Sequence, residues 1–297
     1  MLRGVRGEKR MTEERFRTSL EQHGISPRMV QAFRKLVYAA YRKGSRDDLP
    51  WRLTRDPYRI MVSEIMLQQT QVARVRTKYE EFLTAFPDVG ALAGAQLQEV
   101  LAVWQGLGYN RRGMALKRAA ESIVELFGGS VPETAQELRT LPGIGPYTAG
   151  AIATFAYDRP EVFIETNIRT VFLHLFFHDQ QGIADREILP LVESTLDRDA
   201  PREWYYALMD YGVIIKQETA NPGRRSAHHV RQSPFKGSNR EVRSRILKMI
   251  LAQGGVTAQT LVTGLDGDVE RVTSNLADLE RERFIVKSGI GYVIRER

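Results

Sequence analysis

The sequence predicts a mainly α-helical protein that ends in a small α+β domain. Three observations carry this reading. Apolar residues recur at helical spacing through most of the first two thirds of the chain. Pro and Gly punctuate between those runs. The last dozen residues alternate around a Ser288-Gly289 turn. At 297 residues the chain is long enough for two domains of about 150 residues each.

Residues 1–17 are charged and patternless and read as a mobile basic arm. Val30, Phe33, Leu36, Val37 and Ala40 then mark a helix over Val30–Tyr41. The same spacing predicts helices over 58–70, 77–86, 96–104, 114–127, 135–141, 149–155 and 167–176, and helix follows helix to about Leu208. The breaks fall at Asp56-Pro57, Phe86-Pro87, Gly106 to Gly108, Gly128-Gly129 and Pro142 to Gly145. A single helical domain over 18–215 follows. Residues 216–240 read as a basic linker: from Lys216 to Arg245 eight basic residues face two glutamates, among Pro, Gly and Ser. Such a segment is a solvated connector or a strap that follows phosphates. Residues 241–297 form a separate unit. Val242, Ile246, Met249 and Ile250 share one helix face, 257–262 is a short second helix and 268–280 a third, capped by Asp266 or Asp268. With the hairpin after them, these helices resemble a winged helix. A core of about 55 residues is marginal alone, so docking on the first domain is expected.

A net charge of +7 and a pI of 9.6 favour a polyanionic partner. The absence of cysteine excludes disulfides, thiolate nucleophiles and Cys-ligated zinc or iron–sulfur clusters within these residues. No apolar stretch is long enough to span a bilayer, and no secretory signal opens the chain. The expected setting is cytoplasmic, with nucleoid association in a prokaryote, and no membrane partner. His174 and His178 stand i,i+4, but among Phe and Leu and without a third ligand, so no metal site is assigned to them.

Three segments carry chemistry. In Leu141-Pro-Gly-Ile-Gly-Pro-Tyr-Thr148, Gly143 and Gly145 permit positive φ and close backbone approach, and the helix starting at Thr148 offers free N–H groups to an anion such as a DNA phosphate. The Leu141 and Gly143 carbonyls on the other side suit a monovalent cation. Glu64, in YRIMVSEIMLQQTQV, flanks the apolar pairs Met61/Ile65 and Val62/Met66. Apolar surroundings raise a carboxyl pKa toward the protonated form that a general acid needs. A surface helix glutamate is the ordinary alternative. Ser63, Gln68, Gln69, Thr70 and Gln71 make a polar cluster beside it, and glutamine amides bond base edges. Glu165 lies between an extended VFI and a helix near Asn167. From that segment alone it reads as a helix-capping acid, kept ionised by the helix dipole.

Together LPWRLTRDPYRIMVSEIMLQQTQV, VWQGLGYNRRGMALKRAA, ELRTLPGIGPYTAGAIATFAY and FIETNIRTV resemble the helix-hairpin-helix (HhH-GPD) DNA glycosylases, nearest to the MutY-type adenine glycosylases, over about 49–212. The resemblance implies a two-part helical domain that flips a mispaired base from duplex DNA, adenine opposite guanine or 8-oxoguanine, and hydrolyses its N-glycosidic bond, acting as a monomer. It implies Glu64 as the acid that protonates adenine and Glu165 as the carboxylate that stabilises the cationic sugar. Tyr147 stands where the lyase branch carries its Schiff-base lysine, so a monofunctional enzyme is implied. Gln68, Gln69 and Thr70 match strand-contacting residues and Tyr109 an aromatic beside the opposite base. Asn110, Arg111, Gly143, Gly145, Thr148, Arg224 and Arg225 complete the expected DNA-binding set.

Departures from that pattern are informative. Glu165 replaces an aspartate, Thr166 a glycine and Asn110 a wedge tyrosine. NPGRRSAHHVRQS occupies the place of the cluster ligands, which implies a clusterless branch with no iron–sulfur cofactor. The C-terminal domain is too short for the 8-oxoguanine-reading domain usual in that family. A thymine or uracil mismatch glycosylase and a non-catalytic DNA-binding protein therefore stay open beside the adenine reading.

Overall fold

The computed structural model describes residues 12–230 and 234–296, and these fall into two compact units. Unit 1 comprises the chain up to Leu49 and Ala153–Val230; unit 2 comprises Pro50–Ile152 and Arg231 to the end. The chain starts unit 1 with α1 (Glu13–His23) and α2 (Pro27–Tyr41). Unit 2 then takes α3 (Pro57–Leu67), α4 (Val72–Ala85), α5 (Val89–Gly94), α6 (Leu97–Trp104), α7 (Arg111–Phe127) and α8 (Ala135–Leu138). The unit boundary falls inside α9 (Pro146–Tyr157). The chain completes unit 1 with α10 (Thr166–Leu175), α11 (Asp185–Thr195) and α12 (Pro201–Glu218). It closes unit 2 with α13 (Asn239–Gln253), β1 (Val256–Thr257), α14 (Ala258–Gly264), α15 (Val269–Arg281), β2 (Ile285–Ser288) and β3 (Gly291–Ile294). The expectation of a mainly helical protein with a small C-terminal α+β part holds. No described helix is long and apolar enough to cross a membrane.

Unit 1 is built around aromatic packing. Phe33 of α2 meets Phe172, Phe176 and Trp204 at centroid distances of 5.4, 5.1 and 5.6 Å. Phe16 joins them at 5.8 Å from Phe33 and is fully buried. This corrects the expected arm: Thr12 caps α1 by accepting the Arg15 N–H, and residues 13–17 are helical. One apolar side chain among charges carries no visible period, yet Phe16 anchors the helix; residues 1–11 of the expected arm lie outside the described residues. Gly212 lets α12 lie against the start of α10, because a Cβ there would stand 2.3 Å from the Asn167 carbonyl oxygen.

The expected basic linker is also partly structured. Its first residues, 216–218, finish α12, and Pro222–Arg225 form a short 3-10 turn with Pro222 buried. The bond from the Gly223 N–H to the Asn221 side chain starts that turn. Residues 231–233 lie outside the described set.

Within unit 2 the C-terminal domain has the expected three helices and hairpin. β1, too short to leave a pattern, adds to it a third strand. The sheet order is β1-β3-β2, antiparallel throughout, with Val256 opposite Tyr292 and Val286 opposite Val293. Docking takes the form of one shared core. Leu97, Leu101 and Met114 of α6 and α7 join Ile246, Leu247, Ile250, Leu276 and Phe284, all buried. Burying one such aliphatic or aromatic side chain is worth about 1.5–3 kcal/mol, so the small domain draws part of its stability from α6 and α7.

Candidate active site

Helix α3 explains the position of Glu64. Asp56 caps it by accepting the Arg59 N–H at 3.1 Å, and Pro57 sits where its missing N–H costs nothing. All residues from Ile60 to Met66 are buried. Glu64 is among them at 5% exposure, which excludes the surface-glutamate reading. The Tyr147 hydroxyl donates to Glu64 Oε2 at 2.9 Å. One residue further along α9, Thr148 Oγ1 accepts the Gln68 amide at 3.0 Å. The end of α3 and the start of α9 are thus tied by two side-chain bonds, and the carboxyl lies at their junction.

The turn before α9 departs from expectation in two ways, in how Gly145 is used and in where α9 starts. Only Gly143 uses positive φ, at 77°, and a Cβ there would stand 2.6 Å from Ala115 Cβ. Gly145 has ordinary φ and open space beside it, so its freedom is room for close approach of another molecule, not strain relief. Helix α9 begins at Pro146, and the Thr148 side chain is buried at 2% exposure against Gln68, so it does not face a phosphate. The Leu141 carbonyl, expected to suit a cation, accepts the Ile144 N–H at 3.2 Å. Gly143, Gly145 and Pro146 are exposed.

Arg112 is the residue that sequence reading missed. Its guanidinium donates to the carbonyls of Ile65, Met66 and Gln68 at 3.0, 2.9 and 2.5 Å. It also donates to Thr70 Oγ1 at 2.9 Å and to the Leu107 and Gly108 carbonyls at 3.2 and 3.1 Å. One cation therefore satisfies the C-terminal carbonyls of α3 and those of the loop before α7. Burial lowers its pKa to about 10. Helix α3 stops at Leu67, three residues earlier than expected, and Gln68, Gln69 and Thr70 form the turn that Arg112 holds. Gln69 is exposed there at φ 55°, and Tyr109 sits at φ 47° in the second loop. Left-handed backbone in non-glycine residues costs free energy and concentrates at functional sites. The paired Arg111-Arg112 was the available signal, but it reads as an ordinary solvated helix start.

In unit 1, Glu165 caps α10, as its segment alone suggested. Oε1 accepts the Asn167 and Ile168 N–H groups at 2.6 and 2.8 Å, and Oε2 the Asn167 amide at 3.2 Å. Lys216 Nζ donates to Asn167 Oδ1 at 2.7 Å and adds positive charge. The expectation that the helix dipole alone settles ionisation needs correction. Burial pushes the Glu165 carboxyl above the ordinary 4.5, against the pull of the two N–H bonds, Lys216 and Arg169. Lys216 itself is pushed down by burial. Read from sequence as the first residue of a linker, Lys216 belongs to the surroundings of Glu165.

The expected DNA-contacting cations divide. Arg224 is exposed. Arg225 is not a phosphate contact: its guanidinium donates to the Leu173 and Phe177 carbonyls, each at 2.6 Å, and to that of His178, closing the C-terminus of α10. Arg111 is bound to Glu282, Nε to Oε2 at 2.8 Å, and Arg243 grips the same carboxylate. Asn110 precedes α7 as its cap residue but makes no side-chain cap bond. His174 Nε2 lies 2.8 Å from Glu13 Oε2 and 2.7 Å from the Arg17 guanidinium, and no group of three or more potential ligands that could hold a metal ion stands among the described residues.

Residues 62–194 match the model of the HhH-GPD superfamily of base excision DNA repair proteins. The adenine DNA glycosylase of Mycobacterium tuberculosis is 32% identical over 258 residues, 79% of this chain and 82% of that protein. The chain belongs to the HhH-GPD superfamily. Among other relatives, the adenine DNA glycosylase of Rattus norvegicus is 37% identical over 198 residues, 63% of this chain. The chain spans only 38% of the length of that HhH-GPD relative. A solved structure of a thermostable thymine-DNA glycosylase superposes with a TM-score of 0.56 and 25% identity, over 63% of this chain and 87% of that one.

Proposed function

We propose that this HhH-GPD protein is a monomeric, monofunctional DNA glycosylase acting on a mispaired base in duplex DNA, with adenine opposite guanine or 8-oxoguanine as first substrate. The observation that carries the reading is a buried glutamate, Glu64, bonded by the tyrosine in the first turn of α9, just after an exposed glycine turn. Removing a base by hydrolysis breaks the C1′–N bond, adds water to C1′ and puts a proton on the leaving base. Adenine leaves poorly as an anion, so an acid at its ring is needed; the sugar becomes cationic, so a carboxylate at its other face is needed. The resemblance to the adenine glycosylases gives the first role to Glu64 and the second to Glu165. A nucleotide must leave the stack for this, and exposed Gln69, Gly143 and Gly145 with half-buried Tyr109 are the proposed strand contacts, with Arg224 on phosphate. Tyr147 is a phenol and forms no Schiff base, so strand breakage requires added alkali. With no thiolate available in these residues, no cluster chemistry enters, and Arg225 does the local job of ordering the chain after α12.

The solved thymine-DNA glycosylase supports a second reading on the same scaffold, thymine or uracil opposite guanine. A panel of duplexes with A, T or U opposite G and A opposite 8-oxoguanine separates the two, scored for abasic sites with and without alkali. Glu64→Gln is expected to keep duplex binding and lose about 10²–10⁴ in single-turnover excision, the usual worth of a positioned acid. Unchanged excision by that variant removes Glu64 from the chemistry.

A further inference from the structure

Lys216 stands at the end of a chain of bonds that leads to Glu165, all within unit 1. Gly212 and Lys216 are four residues apart and share one face of α12. The close approach that Gly212 allows therefore delivers Lys216 to the start of α10. There Lys216 Nζ donates to Asn167 Oδ1 at 2.7 Å, and the same amide donates from its other end to Glu165 Oε2 at 3.2 Å. Glu165 Oε1 is taken by the Asn167 and Ile168 N–H groups. A cation on the carbonyl end of an amide polarises it and strengthens the bond that its N–H makes. One amide thus joins an ammonium to a carboxylate whose other oxygen is fixed by the helix start.

Two cations face Glu165, Lys216 from α12 and Arg169 from its own helix. Arg169 already holds Asp185 of α11 by two bonds of 2.7 Å, and His228 adds its charge at Asp185. Arg46, which repels Lys216, donates from its backbone and its guanidinium to buried Asp210 of α12. Glu13, Arg17, His174 and Arg225 gather at the opposite end of α10. Lys216 differs from both arginines. It is half-buried, burial and the two arginines push its pKa down, and Glu165, one amide away, pulls the other way. We propose that Lys216 is a positioning residue for the Glu165 carboxylate, acting through Asn167 and supplying the cation that balances it. A carboxylate that meets a forming sugar cation must be both ionised and aimed, and this chain of bonds does both. The proposal rests on the glycosylase reading for its purpose, while its first measurement needs no excision.

The test follows the Glu165 carboxyl by carbon-13 NMR in the full chain labelled at its glutamate side chains, the signal being assigned by its loss in Glu165→Gln. Removing a cation disfavours the ionised carboxyl, so the titration midpoint in Lys216→Met is expected to rise by about 1 in pH. Lys216→Arg keeps the cation and is expected to titrate within about 0.3 of wild type. Lys43→Met removes an equal charge from the exposed surface of unit 1 and is expected to leave the midpoint in place. On the mispair duplexes the acid limb of the single-turnover rate is expected to move to higher pH by the same amount in Lys216→Met and to return in Lys216→Arg, a pattern that lost packing does not produce. Thermal melts check that each variant folds, and Lys216→Gln supplies the answer if Lys216→Met does not. A Lys216→Met midpoint within about 0.3 of wild type, or Lys216→Arg titrating like Lys216→Met, overturns the proposal. Failure of the wild type to release any base from the mispair panel overturns the glycosylase reading instead, and the titration still decides whether Lys216 governs Glu165.

Discussion

Removing the Arg112 guanidinium tests how the two candidate contact loops are held. The four N–H groups of the two terminal nitrogens serve six acceptors, and four bonds to a charged group at about 1.5–3 kcal/mol each amount to about 6–12 kcal/mol. Against this stands the cost of the buried cation, which disappears with it. Its pKa, lowered from 12.5 to about 10, sets that return at about 3 kcal/mol. The net loss for Arg112→Ala is therefore about 3–9 kcal/mol. At about 2–4 °C per kcal/mol for a unit of this size, the melting temperature falls by at least about 6 °C. Arg112→Lys keeps the charge but brings one nitrogen to acceptors spread over two loops, so it recovers less than half. Differential scanning calorimetry of both variants decides the matter. A shift below about 2 °C for Arg112→Ala, or a lysine variant equal to wild type, would refute the claim that this fork holds the 65–70 and 107–108 carbonyls together.

Three further predictions follow from the same geometry. Gly143→Ala meets both left-handed backbone and the Ala115 methyl and is expected to cost about 2–4 kcal/mol, whereas Gly145→Ala melts like wild type but binds duplex DNA more weakly; equal melting of the two variants contradicts the distinction. For Glu165, burial raises the carboxyl above 4.5, so the ionised form that the sugar needs is lost at a higher pH than for an ordinary glutamate; the acid limb of the single-turnover rate lies above pH 4.5, and Glu165→Asp, still a good cap, retains activity. Glu13 carries the opposite sign: the bonds to His174 and Tyr211 lower it to about 2, so its stabilisation is full above pH 4.5 and lost as pH falls from there toward 2. Its side chain is 37% exposed, so solvent screens part of that gain, and urea melts of Glu13→Gln should converge on wild type below pH 3, a continuing gap there speaking against the linkage.

Much of this molecule is legible because its signals are local. Repeated apolar spacing finds α2, α6, α7 and α10, since a helix buries one face and the period follows from that need. Glu64 is legible for the same reason: Met61/Ile65 and Val62/Met66 predict that its helix is sunk in apolar surface, and it is. Elements too short to show a period escape, as α5 and β1 do. Phe16 shows the limit from the other side, because one anchoring ring orders a helix whose remaining positions are polar.

What composition does not reveal is where a cation's hydrogen bonds go. Arg111, Arg112, Arg224, Arg225 and Arg240 share one chemistry, and a net charge of +7 invites assigning them to one polyanion. The structure divides them. Arg112 and Arg225 satisfy carbonyls left over at helix ends, Arg111 is neutralised by Glu282, and Arg240 stands on Tyr109. Only contacts distant in sequence decide between these fates, and each removes charge from the count available to phosphate. The salt dependence of duplex binding should then be set by far fewer cations than the basic segment carries, because a cation already bonded to protein releases no counterion from DNA. A steep slope, equal to one phosphate contact for each of the eight basic residues from Lys216 to Arg245, would show that these internal bonds give way when DNA arrives.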